Sequence, residues 1–220
     1  MRLVYTWMGL GLLATAGMAW FTATTPALEG LRNSPVGVIG SLVIFFATVI
    51  ALSVGMSRKW LTPGLAAGLF LVFSLSMGFS LSLTLEWFLA NDAPALFSAF
   101  GTAAGLFGVM SIYGFTTRSD LSQWGTYLFM ALIGLVIAML INLFLGSGVL
   151  DFVISIVGVI IFTALTAYDT QKIKQMSMMP ELQSDGSMAL KFSIMGAVTL
   201  YLDFINLFLF LLSLFGGSRD

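Results

Sequence analysis

The 220-residue sequence predicts an all-α membrane protein of seven transmembrane helices, and three observations carry that expectation. Hydrophobic residues make up 59% of the chain, charged residues only 9%, and the mean hydropathy is +1.02. Soluble domains run near one quarter charged, so a chain this poor in charge could not cover a water-facing surface. The apolar residues are gathered into long runs, and the basic residues cluster in alternate gaps between them.

Five runs lack charge altogether: Leu3–Thr25, Asn33–Ser57, Trp60–Leu85, Ala93–Thr117 and Leu121–Leu150. Each reaches the ~20 residues a helix needs to cross the hydrocarbon core. A sixth apolar stretch follows Asp151 and runs to about Tyr168, and a seventh runs from about Phe192 to Phe215. The first run exceeds the apolar region of a signal peptide and is expected to stay as an uncleaved helix. The connections are short (Pro26–Arg32, Arg58–Lys59, Asn91-Asp92, Arg118–Asp120 and Gly146-Ser-Gly148), except for a polar, Met-rich linker from about Lys172 to Ala189. Residues 1–220 are expected to form a single seven-helix domain.

Orientation follows from the basic residues in alternate loops. With the N-terminus in the cytoplasm, Arg2, Arg58, Lys59, Arg118, Lys172, Lys174 and Lys191 lie inside, and only Arg32 and Arg219 lie outside. The sequence therefore predicts a multi-pass membrane protein, N-terminus cytoplasmic and C-terminus outside. Trp7, Trp20, Trp60, Trp87 and Trp124 fall near predicted span ends, as an interfacial belt requires.

Composition also excludes functions. The net charge of −1 argues against a nucleic-acid binder, which needs a basic face for phosphates. The chain has no cysteine, so disulfides and thiolate chemistry are absent. It has no histidine either, which removes the usual general base and the usual sensor near neutral pH. A metal site would have to be built from oxygen, which suits calcium or magnesium. No cofactor is implied.

Two aspartates lie inside the last two apolar segments, in Leu165-Thr-Ala-Tyr-Asp169-Thr-Gln-Lys172 and Leu200-Tyr-Leu-Asp203-Phe-Ile-Asn206. A carboxylate at mid-bilayer costs roughly 2.5–3.5 kcal/mol on insertion scales, so it is a functional-site hypothesis by default. Asp203 lies roughly 18 Å of helix beyond Lys191, and Asn206 shares its face. Asp169 shares a face with Thr166. The two spans are antiparallel, which brings both carboxyls toward one half of the membrane. Such a pair holds a proton between its members and titrates as a unit, giving a pH sensor without histidine and a candidate oxygen site for calcium. A structural role for each, as helix cap or hydrogen-bonded glue, is the plain alternative.

Other polar residues carry weaker expectations. Arg58 ends the second run and could latch a carboxyl; Glu86 ends the third and could line an outer vestibule. Asn142 is expected to bond a neighbouring helix. Gly64-Leu-Ala-Ala-Gly68 and Gly101-Thr-Ala-Ala-Gly105 have the spacing of close helix packing. Enzyme signatures are missing: there is no Walker loop and no HExxH. An intramembrane aspartyl protease also uses two aspartates, but Leu200-Tyr-Leu-Asp203 stands where its GxGD motif would be. A non-enzyme is expected.

Thr166-Ala-Tyr-Asp-Thr-Gln-Lys-Ile-Lys174 and Ile194-Met-Gly-Ala-Val-Thr-Leu-Tyr-Leu-Asp-Phe-Ile-Asn-Leu-Phe208 resemble the Bax inhibitor family, also called the transmembrane Bax inhibitor motif family. Met110-Ser-Ile-Tyr-Gly-Phe-Thr-Thr-Arg-Ser-Asp-Leu-Ser122 looks like its bacterial branch. The likeness runs from Tyr5 onward and is most specific in the last two segments. It implies a bacterial inner-membrane protein of seven helices with the last one central, and a pH-dependent calcium leak. It also implies that Asp169 and Asp203 form the hydrogen-bonded pair that closes the pore, with Arg58 as latch. Asn206, Thr166 and Glu86 are the candidate pore-lining residues. The resemblance implies a second class as well: a non-channel modulator of a membrane protease or of membrane-protein quality control. The expected partners are the lipid bilayer, calcium ions and, in that second class, a membrane protease.

Overall fold

The computed structural model describes residues 1–58, 60–180, 182 and 185–217, with Ser57 and Arg58 described by backbone only. Among these residues there are seven long helices and no strand. They are α1 (Arg2–Thr24), α2 (Pro35–Arg58), α3 (Pro63–Asn91), α4 (Ala93–Thr116), α5 (Gly125–Leu145), α6 (Gly148–Ser177) and α7 (Gly186–Gly216). All seven are long and apolar enough to cross a membrane, and the chain is a multi-pass membrane protein.

Side-chain caps start five of the seven helices, all but α1 and α5. Ser34 Oγ accepts from Gly37 N at 3.1 Å and Thr62 Oγ1 from Leu65 N at 3.3 Å, each just ahead of a proline. Asp92 Oδ1 accepts from Ala95 N, Ser147 Oγ from Leu150 N, and Asp185 Oδ1 from Ser187 N and Met188 N. These are the N-cap residue types that satisfy the first free N–H groups. Inside the helices, hydroxyls return to the carbonyl one turn back, as Thr22 does to Met18 and Ser193 to Ala189. That keeps polar groups satisfied where water is absent.

The turn expected at Gly146-Ser-Gly148 forms, and Gly146 has a φ of 59°, left-handed backbone that suits glycine. Two boundaries differ from the predicted ones. Helix α3 continues past Glu86 to Asn91. Helix α6 continues through Lys172 and Lys174 to Ser177, and α7 already begins at Gly186, so the expected linker is partly helical. Charge ends compatibility with lipid, not the helix.

The described residues gather into two compact units: Met1–Asn91 with Ser177–Tyr201, and Asp92–Met176 with Leu202–Asp220. Helix α7 thus serves both, and 61% of its most apolar stretch is buried, against 39% or less in the others. Helix α5 is the opposite case, with only 6% buried, and presents its side chains to lipid.

In the first unit, the Tyr201 ring is fully buried among Phe70 and Phe73. Its hydroxyl lies 2.6 Å from Thr15 Oγ1, which also bonds the carbonyls of Gly11 and Ser74 at 2.9 Å. The predicted GxxxG pairs do no packing: a Cβ on Gly64, Gly68, Gly101 or Gly105 would meet nothing within 4 Å. Close approach occurs instead at Gly78, against the Thr15 carbonyl, and in the second unit at Gly114, against the Ala167 carbonyl.

Candidate functional site

The Thr166–Lys172 stretch of α6 builds the site, and nearly every residue in it has a contact that fixes the next. Thr166 Oγ1 donates to Phe162 O at 2.8 Å, which settles a fully buried hydroxyl inside its own helix. The Ala167 backbone lies directly against Gly114 of α4. The Tyr168 ring passes over Gly125, where a Cβ would sit 2.8 Å from its Cζ. Two glycines on neighbouring helices therefore set the depth and rotation of α6 just ahead of Asp169.

Gln171 anchors the loop between α4 and α5. Its Oε1 accepts from Leu121 N and its Nε2 donates to Ser119 O, both at 2.8 Å. Lys174 Nζ donates to Phe115 O at 2.6 Å and lies 4.9 Å from that ring's centroid. Lys172 Nζ stands 5.6 Å over the Tyr168 ring. These contacts tie the end of α6 to α4 and its loop.

So held, Asp169 is within hydrogen-bonding reach of Asp203, the two side chains meeting across the antiparallel α6–α7 seam. Asp203 is 4% exposed, and no donor group reaches its Oδ2. Thr163 Oγ1, Thr170 Oγ1 and Ser111 Oγ are also buried without a hydrogen-bond partner. Unpaired polar atoms are costly in an apolar interior. All three belong to the same unit as the aspartate pair.

Further along the same seam is a cavity of about 390 Å³, lined in part by Asn142, Asp151, Ser155, Asn206 and Ser213. Ser155 Oγ donates to Ser213 Oγ at 2.9 Å, and Ser213 Oγ donates to Asp151 Oδ2 at 3.1 Å. The Asn206 amide donates to Leu202 O at 2.8 Å, back toward the turn that carries Asp203.

The structure thus brings together Asp169 and Asp203, with Thr166 one turn below and Asn206 at the cavity. Glu86 belongs to the first unit, half exposed, and its Oε2 lies 2.7 Å from Nη1 of the buried Arg32. The Arg58 side chain lies outside the described residues. Asn142 makes no expected interhelical bond; its Oδ1 accepts from Ser147 N at 3.1 Å and closes its own helix. No group of three or more carboxylates is found among the described residues, so a calcium ion at Asp169 and Asp203 would lack most of its 6–8 oxygen ligands.

Sequence reasoning missed Gln171, Gly114 and Gly125. The signal for Gln171 was its place in a polar run that the helix continues through. The two glycines stand at no motif spacing, and only the fold reveals what they touch.

A family model described as Inhibitor of apoptosis-promoting Bax1 matches residues 1–220. The chain is 46% identical over 220 residues to Inner membrane protein YbhL of Escherichia coli strain K12, covering all of this chain and 92% of that protein. It is 41% identical to a Deinococcus radiodurans protein, covering all of this chain and 90% of the relative. A Borreliella burgdorferi protein is 38% identical, with 99% and 91% covered. With seven spans, a paired-aspartate seam and a match over its whole length, the chain belongs to the Bax inhibitor family.

Proposed function

We propose that the protein is a pH-sensitive leak pathway for cations, with calcium as its cargo, gated by the Asp169–Asp203 pair. The observation that carries this is two acidic side chains in contact within an apolar, seven-span protein, one of them almost wholly buried. Sharing one proton, the pair carries a single negative charge and forms a hydrogen-bonded clasp between α6 and α7. Losing that proton leaves two like charges in contact, which repel. Deprotonation therefore both loosens the clasp and exposes the kind of oxygen ligand a hard cation takes. With few ligands, the site would let a passing ion go. The inner membrane named for the Escherichia coli relative, and a cytoplasmic N-terminus, complete the proposal; it needs no cofactor and no catalysis.

The family description names an inhibitor rather than a channel, which favours a second class: a modulator that binds a membrane protease or quality-control machinery. Purified protein in calcium-dye-loaded proteoliposomes separates the two. A leak pathway passes calcium with no other protein present. A modulator leaves the dye dark in vesicles where insertion is verified, and is captured instead by its partner.

A further inference from the structure

Asp151, Ser155, Gly158, Phe162 and Asp169 follow one another along a single face of α6, and this face meets Ser213, Phe210 and Asp203 of α7 in antiparallel order. Phe162 stands midway between Ser155 and Asp169, roughly 10 Å of helix from each. Its ring stacks on that of Phe210, with centroids 5.8 Å apart and planes 29° apart. Both side chains are buried. Gly158 is cut away to admit this pair, since a Cβ there would lie 2.6 Å from the Phe210 ring. The Asp151 cavity is lined by Phe210 but not by Phe162, which stands behind it. The seam is thus polar at both ends and aromatic between them.

We infer that the Phe162–Phe210 stack is an apolar plug that keeps water and ions in the Asp151 cavity from reaching the aspartate pair. A constriction lined only by apolar side chains excludes water without closing sterically, and an ion cannot cross where its hydration shell cannot. The consequence for flux rests on the leak reading, whereas the water barrier itself does not. Two conditions, release of the aspartates and separation of the rings, then govern passage.

The absence of native cysteine makes the test direct. Single cysteines replace Asn206, at the cavity, and Thr166, fully buried between the rings and Asp169. Each is exposed to a small, water-soluble methanethiosulfonate cation with the full chain in membranes. Asn206→Cys is expected to react and Thr166→Cys to be protected. Adding Phe210→Ala should raise the Thr166→Cys rate roughly tenfold or more, and Phe210→Leu much less. Rapid labelling of Thr166→Cys with both phenylalanines in place overturns the plug, and needs no truncated variant to fold. Continued protection in a Phe162→Ala/Phe210→Ala background, while Asn206→Cys still reacts, overturns it as well. Labelling does not depend on ion flux, so a silent proteoliposome with the expected labelling pattern would reject the leak and keep the barrier.

Discussion

Gly114→Ala is the sharpest test of how the aspartates are positioned. The added Cβ would lie against the Ala167 carbonyl oxygen, 2.9 Å from its carbon and 3.0 Å from its Cα, where ordinary contacts run 3.4–4 Å. These are backbone atoms that no rotamer change can move. Relief requires α4 and α6 to part by about an ångström at a point two residues from Asp169. Overpacking of this kind costs about 1–3 kcal/mol, and alanine's helix propensity offsets up to about 1 kcal/mol of it. The net expectation is a loss of about 2 kcal/mol, a factor of about thirty in the folding equilibrium. Gly105→Ala on the same helix is the control: its Cβ would touch nothing, so stability should hold or rise slightly. Reversible unfolding of both variants in mixed micelles, followed by tryptophan fluorescence, measures the difference. If Gly114→Ala proves as stable as Gly105→Ala, the α4–α6 contact does not set the position of Asp169 and the account of the site is wrong.

Three further outcomes are expected. Tyr201→Phe removes the 2.6 Å bond to Thr15 and should cost about 1 kcal/mol, with Tyr201→Phe/Thr15→Ala costing less than the sum of the singles by unfolding. Glu86→Gln leaves the buried Arg32 guanidinium without its counter-charge and should lower stability by about 1–2 kcal/mol, a figure reduced from the fully buried case because Glu86 is half exposed. Arg32→Met should restore part of that loss in the same unfolding assay. Gln171→Leu removes both bonds that hold Ser119 and Leu121, and limited proteolysis between α4 and α5 should quicken several-fold relative to wild type; an unchanged rate would mean the loop is held by other contacts.

Seven spans were legible because hydrocarbon demands long uncharged helices, and the two aspartates stood out against that background. Their meeting followed from the antiparallel order of α6 and α7. What the sequence could not give depended on geometry rather than composition. The GxxxG pairs have the right spacing but point away from every neighbour, while Gly78, Gly114 and Gly158 take the close contacts without a motif. Helix rotation decides which glycine touches, and spacing alone does not report rotation. Arg32 and Glu86 both fell on the predicted outer side, a hint of pairing that charge counting did not use.

The central claim is that the Asp169–Asp203 contact gates cation passage by holding or losing a proton. Its most direct test is calcium entry into dye-loaded proteoliposomes across a pH series, for wild type, Asp169→Asn, Asp203→Asn and the double variant. Wild-type flux should rise as pH rises through the pair's titration, because the clasp is intact with the proton and repels itself without it. Each asparagine variant should lose that dependence, since no second negative charge can form. Wild-type flux that ignores pH, or single variants that retain the full wild-type profile, would contradict the account.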